Sequence, residues 1–147
     1  MQPAPFDAGA EVRALTAGRT DIGGVASFVG LVRDSAGGAP VGAMTLEHYP
    51  GMTERELAKI EAEANARWPL QASLIIHRFG RLEPGEQIVL VATASAHRAD
   101  ALEACAFLID WLKTKAPLWK KEETPDGDQW VAARDEDNTR ADRWVKD

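Results

Sequence analysis

One cysteine in 147 residues leaves this chain without an internal disulfide, and a chain without such staples reads as cytoplasmic. No apolar run approaches the ~20 residues that a membrane span needs. The opening stretch MQPAPFDAGAE has neither a basic start nor an apolar core, so no signal peptide is expected. A basic excess is missing as well. The formal net charge of −6 argues against nucleic acid as a partner, yet it leaves room for a local cationic cluster that holds a small anion. Three histidines, not closely spaced with one another or with the cysteine, argue against a metal site. G-x-S-x-G, P-loop and dinucleotide fingerprints are absent, and no resident cofactor is expected. No repeat, low-complexity tract or linker divides the chain. Residues 1–147 therefore read as one domain, with the charged end from about 135 as a loosely held tail that gains order at an interface.

Hydrophobic residues make up 45% of the chain, enough for one domain with a real core. Asp7 is placed to cap a helix over 8–17 that Gly18 ends. A strand is expected over 22–33, with Val25, Val29 and Leu31 on one face and Phe28 and Val32 on the other. The Gly-rich loop DSAGGAP follows, then a strand over 43–49 closed by Pro50-Gly51. Thr53 with Glu56 three residues on has the form of a capping box. The helix behind it aligns Leu57, Ile60, Ala64 and Trp68, and Pro69 stops it. Strands over 72–78 and 87–95 flank Glu83-Pro84-Gly85-Glu86, which fits a type II turn.

A helix over 98–115 carries Ala101, Leu102, Cys105, Leu108, Ile109 and Leu112 on one broad face. Cys105 lies in that stripe, where a buried small hydrophobe is its expected role. Phe107 and Trp111 fall on the opposite side, which predicts a subunit interface or an overlying segment there. After Pro117, a hairpin joins 118–123 to 129–131 across Thr124-Pro125-Asp126-Gly127. Single helices between paired strands give an α+β sandwich, its helices packed on a mostly antiparallel sheet.

Cations stand at both ends of the 98–115 helix. His97 and Arg98 occupy its start, where free N–H groups and the helix dipole favour an anion; taken alone, Arg98 is as well explained by a surface pair with Asp100. Arg33 ends the first long strand, either as an exposed charge or as a second clamp on the same anion. Lys113 ends the helix and Lys120 lies seven residues on. Pro117 breaks the helix between them, and the bend can fold Lys120 back toward Lys113. Crowded lysines disfavour each other's charge. A neutral amine serves as base or nucleophile, and a charged one steadies an oxyanion. Lys115 and Lys121 need do no more than complement a helix end, and His48 and His77 read as hydrogen-bonded structural residues. These residues alone leave open a non-catalytic module that senses a phosphorylated ligand, or an acyl-phosphate hydrolase.

The blocks FVGLVRD (28–34), LEHYPGMTE (46–54), HRFGRLEPGE (77–86), HRADALEA (97–104), LKTKAPLWKKE (112–122) and PDGDQWV (125–131) together resemble one family, the large catalytic subunit of molybdopterin synthase, MoaE-like. The resemblance implies an α/β hammerhead fold and a homodimer within a heterotetramer. In that assembly each protomer takes the Gly-Gly tail of a small ubiquitin-like sulfur carrier, MoaD-like, activated as a thiocarboxylate. It implies sulfur transfer to cyclic pyranopterin monophosphate, giving the dithiolene molybdopterin. Lys113 and Lys120 match the family's active-site lysines. Arg33, His97 and Arg98 match its anion-pocket residues, Phe28 an aromatic pocket lining, and Arg134 an arginine reaching in from the neighbouring protomer. The chain ends Trp-Val-Lys-Asp rather than Gly-Gly, so the sulfur donor is expected to be another polypeptide.

Overall fold

A computed structural model of the chain describes residues 1–131 and 135–145, the side chains of 135 and 136 excepted. Its helices start where local chemistry places them. Asp7 Oδ1 accepts from the Ala10 N–H at 3.0 Å and caps α1 (Ala8–Thr16). The helix α2 (Met52–Arg67) begins two residues before the expected capping box. The chain enters it through Gly51 at φ 85°, a left-handed conformation that glycine adopts without a Cβ clash, and the Glu54 carboxylate accepts from the Gly51 N–H. Thr53 is thereby released from capping. It is fully buried, its Oγ1 accepting from the Tyr49 N–H at 2.9 Å and donating to the Pro117 carbonyl at 3.0 Å. The expected stripe holds, since Leu57, Ile60 and Ala64 are buried. Trp68 turns extended before Pro69. The long helix α3 (Arg98–Lys115) has the limits its periodicity predicts.

Among the described residues there are nine strands: β1 (Gly24–Leu31), β2 (Ser35–Ala36), β3 (Ala39–Pro40), β4 (Met44–His48), β5 (Leu70–His77), β6 (Gly80–Leu82), β7 (Gln87–Ser95), β8 (Leu118–Thr124) and β9 (Gly127–Val131). Every pairing between them is antiparallel. One sheet runs β1-β7-β5 and a second β6-β4-β8-β9, while β2 and β3 form a separate small hairpin across Gly37-Gly38 within the expected loop. The central strand β7 is buried on both faces, as its unbroken Ile-Val-Leu-Val-Ala run requires. The type II turn forms, with Gly85 at φ 89°. The strand β6 follows the bend at Gly80 and carries the chain from one sheet into the other; three residues are too short a run for alternation to show. On the near side of β7, α3 packs down through Ala101, Cys105 and Leu108, and the Thr93 hydroxyl donates to the Ala101 carbonyl at 2.6 Å.

One expectation about α3 changes, and another resolves to its second alternative, an overlying segment. Leu102, assigned to the core face, is 61% exposed. Phe107, on the opposite side, is fully buried, and the cover is the chain's own C-terminal segment. The stretch read as a loose tail contains the helix α4 (Asp135–Asp142). Beyond it, Trp144 meets Phe107 and Trp68 edge to face, at 5.8 Å and 5.6 Å between ring centres. Its indole N–H donates to the buried Asp110 carboxylate at 2.7 Å, and Arg143 pairs with the same oxygen at 3.0 Å. Arg67 lies over both Phe107 and Trp111 and donates to the Trp144 carbonyl. Trp144→Ala is expected to destabilise the fold by about 2 kcal/mol, somewhat under the cost of deleting a fully buried aromatic. A melting temperature unchanged in calorimetry would show that the latch contributes nothing.

Candidate active site

Two elements deliver the paired lysines. Lys113 lies in the last turn of α3, which ends at Ala116 as its backbone becomes extended (ψ 132°) ahead of Pro117. The bond from Thr53 to the Pro117 carbonyl anchors this corner to the start of α2. Three residues after Pro117, Lys120 sits in β8 between Leu46 of β4 and Val131 of β9. Alternation along β8 leaves Trp119 on the outer, exposed face and turns Lys120 inward. Both lysines line one cavity of about 140 Å³, walled by Leu46, Ile88 and His77 and reached by Asp137 of α4. Lys120 also borders a second, smaller cavity of about 90 Å³, with Arg33, Glu122 and the β2–β3 hairpin on its other sides. Lys113, Lys120 and Arg33, far apart in the chain, are thus gathered around two adjoining hollows that share Lys120.

His97, Arg98 and Phe28 do not line these cavities within one chain. His97 and Arg98 start α3, and Lys113 is near its end. Fifteen residues at ~1.5 Å rise separate Arg98 from Lys113 by about 22 Å. Phe28 lies on β1, the edge of its sheet, where it lines a shallow apolar groove with Val25, Leu102 and Ile109. Arg134 lies outside the described residues. Conversely, His77, Asp137 and Glu122 border the cavities without having been singled out as site residues. For His77 the available signal was its place at a strand end next to Arg78, which reads equally well as structural.

His77 is in fact hydrogen-bonded and 2% exposed, its Nδ1 lying 2.8 Å from the Arg78 carbonyl. Burial, reinforced by the positive charges of Lys113 and Lys120, pushes its pKa down to about 4, so the ring is neutral at pH 7. The unfolded ring titrates near 6.5. Acidification from there toward pH 4 protonates the unfolded chain first, so stability falls as pH drops through that window. Between pH 7 and 4.5 the wild type should lose about 2–3 kcal/mol more than His77→Gln in urea unfolding; equal losses would contradict the assignment. His48 is structural, pairing with Glu54 at 3.3 Å and stacking on Phe79. Burial pushes the Cys105 thiol up to about 11, away from nucleophilic use at neutral pH.

Fold and site together define an α+β protein in which two lysines, an arginine and two carboxylates line adjoining cavities. The chain matches the family described as MoaE protein over residues 1–115. A molybdopterin synthase catalytic subunit of Pseudomonas aeruginosa is 57% identical over 98% of this chain and 96% of its own length. Among solved structures, a molybdopterin biosynthesis MoaE protein from Burkholderia ambifaria is 55% identical, with a TM-score of 0.81 over 97% of this chain and 94% of that one. Molybdopterin synthase from Staphylococcus aureus is 33% identical, with a TM-score of 0.82 over 89% and 94% of the two chains. The chain belongs to the MoaE family.

Proposed function

We propose that this chain is the catalytic subunit of a molybdopterin synthase. It transfers sulfur from the C-terminal thiocarboxylate of a small ubiquitin-like carrier, MoaD-like, to cyclic pyranopterin monophosphate, and so builds the molybdopterin dithiolene. The observation that supports this most is the convergence of Lys113, Lys120 and Arg33 on adjoining cavities. The substrate brings a phosphate and the carrier an anionic tail, and both need cations. Attack of the carrier's sulfur on an oxygen-bearing carbon of the pterin side chain forms a carbon–sulfur bond and expels that oxygen, which leaves protonated, so that the sulfur links the pterin to the carrier's acyl carbon. Water then cleaves the acyl carbon–sulfur bond through an oxyanion, releasing the carrier as its carboxylate and leaving sulfur on the pterin. Lys113 contacts the carrier's terminal carbonyl and stabilises that oxyanion. Lys120, shared by both hollows, handles proton transfer at the reacting pterin carbons or orients the substrate. Arg33 holds the phosphate in the neighbouring hollow.

His97 and Arg98 lie too far from Lys113 to serve the same cavity in one chain, so their role as anion holders requires a second copy. For Arg134 the neighbouring protomer is what the family resemblance implies. Phe107 and Trp111 do not mark the contact, because Trp144 and α4 already cover them. The exposed apolar groove of Val25, Phe28 and Leu102 is the face for the symmetry mate, with two carriers completing a heterotetramer. Sedimentation should give a mass near twice 16.0 kDa; a monomer at micromolar concentration would contradict the shared site. No described helix is long and apolar enough to cross a membrane, and a buried lone thiol suits the cytoplasm. The test of function is direct: incubate the chain with thiocarboxylated carrier and cyclic pyranopterin monophosphate and assay the dithiolene. Binding without conversion would favour a ligand sensor, and phosphate release without sulfur transfer a hydrolase.

A further inference from the structure

The segments that deliver the two lysines meet where a side chain replaces a rung of the sheet. Strands β4 and β8 pair in unbroken antiparallel register from Met44↔Glu122 to His48↔Leu118. The next pair in that register would be Tyr49↔Pro117. At the other end of the ladder the Glu123 N–H donates to the Ala43 carbonyl at 3.0 Å. Hydrogen-bonded pairs therefore fall at every second residue from Ala43, and Tyr49↔Pro117 is the place of one. Four backbone groups would close it. Pro117 has no N–H, which leaves three. Thr53 takes all of them. Its N–H donates to the Tyr49 carbonyl at 2.9 Å. Its Oγ1 accepts from the Tyr49 N–H at 2.9 Å and donates to the Pro117 carbonyl at 3.0 Å. A hydroxyl can both accept and donate, so it fits between an N–H and a carbonyl that would otherwise meet. Thr53 is fully buried, and bulk water does not compete for these bonds.

An inserted hydroxyl does two things that a direct rung would not. It keeps the Tyr49 N–H and the Pro117 carbonyl apart by the width of an oxygen atom, so the chain splays at Pro117. It also ties that splayed corner to the first turn of α2 through a β-branched side chain with few rotamers. Pro117 lies four residues after Lys113 and three before Lys120. The angle of the chain there sets how the end of α3 and the face of β8 look at one another across the cavity that both lysines line. We propose that Thr53 is a positioning residue for the lysine pair: its hydroxyl stands in for the last rung between β4 and β8 and holds the corner at the spacing that turns Lys113 and Lys120 into one cavity. The kinetic consequence rests on the sulfur-transfer reading; the geometric one is tested in the resting protein without carrier or pterin.

Two variants separate positioning from packing. Thr53→Val keeps the shape and loses the hydroxyl, whereas Thr53→Ser keeps the hydroxyl and loses a methyl group. Packing alone would favour Val; a held corner favours Ser. NMR of protein labelled at the lysine ε-carbon reads the cavity directly, with Lys113→Met and Lys120→Met assigning the two signals. Both signals should move in the folded Val variant and stay in the Ser variant. The Tyr49 amide should exchange with solvent about tenfold faster in the Val variant, as expected for one lost buried hydrogen bond. Lysine signals unchanged in Val, or moved alike in Ser, would overturn the proposal. Should the Val variant not fold, Thr53→Ala decides, because without a γ-substituent the rung can close. Its crystal structure should show Tyr49 N within about 3.0 Å of the Pro117 carbonyl oxygen and Lys113 displaced relative to Lys120; a Lys113 that keeps its place would overturn the proposal. In sulfur transfer at saturating carrier and pterin, kcat of the Val variant should fall about 30-fold through misplacement of the lysines, with carrier affinity unchanged and the Ser variant near wild type. A wild type inactive in that assay would count against the function and leave the lysine signals to decide the positioning.

Discussion

Lys113→Ala is expected to lower dithiolene formation by about 10³-fold, the scale of losing a principal oxyanion donor, while the carrier still binds. The reasoning starts from the corner at 113–120. The helix α3 ends at Lys115, Pro117 excludes its continuation, and the Thr53 hydroxyl holds the Pro117 carbonyl. Lys113 is thus presented to the cavity from a rigid helix end while β8 brings Lys120 to the same space. Truncation removes the ammonium that the proposed function places against the carrier's terminal carbonyl, and no other described cation on α3 lines that cavity. Lys113→Arg keeps the charge but spreads it over a planar fork, so it should restore little. Carrier affinity measured by calorimetry should change far less than turnover, because one side chain is a small part of a protein–protein contact. Near-normal turnover in Lys113→Ala would remove the lysine from the chemistry.

Arg33→Ala should act on the other half of the reaction, raising the apparent KM for cyclic pyranopterin monophosphate by about 30-fold, as expected for losing a charge-assisted phosphate contact of about 2 kcal/mol, with a smaller effect on kcat. Arg33 lines the hollow that shares Lys120 but not the one that contains Lys113. A cation placed there holds substrate rather than the acyl group under attack, and uniform binding energy appears in KM. Steady-state kinetics at saturating carrier separates the two parameters. An unchanged KM would place the phosphate elsewhere.

Much of the frame was legible because it rests on local rules. The 3.6-residue period of 98–115, the Asp7 cap, the Pro84-Gly85 turn and the hairpin after Pro117 each depend on a few neighbouring residues, and each is present. The misreadings arise where tertiary contacts decide. Thr53 has the form of a cap, but the left-handed Gly51 moves the helix start upstream and leaves the hydroxyl for Pro117. Leu102, assigned to the core face, instead lies exposed beside β1, while the segment that covers Phe107 could not be named in advance because one tryptophan in a polar run shows no periodicity. The site shows the same division. Lys113 and Lys120 could be paired from the proline between them, whereas the approach of Arg33 needed both sheets in place. The distance between Arg98 and Lys113 was implicit in the helix length, and under the proposed function it is this that calls for a second chain. His77 was read as a hydrogen-bonded structural residue, which it is; its place on a cavity wall was not legible because such a histidine has the same sequence signature whether or not it faces a cavity.

The claim that carries the rest is that the tail of another protein lies in the Lys113–Lys120 cavity. The most direct measurement is a crystal structure of this chain with a carrier ending in a Gly-Gly carboxylate. The terminal carboxyl group should lie within about 3.2 Å of Lys113 Nζ, with Arg33 beyond it facing the pterin side. A tail docked away from both lysines, with the carrier otherwise bound, would contradict the account.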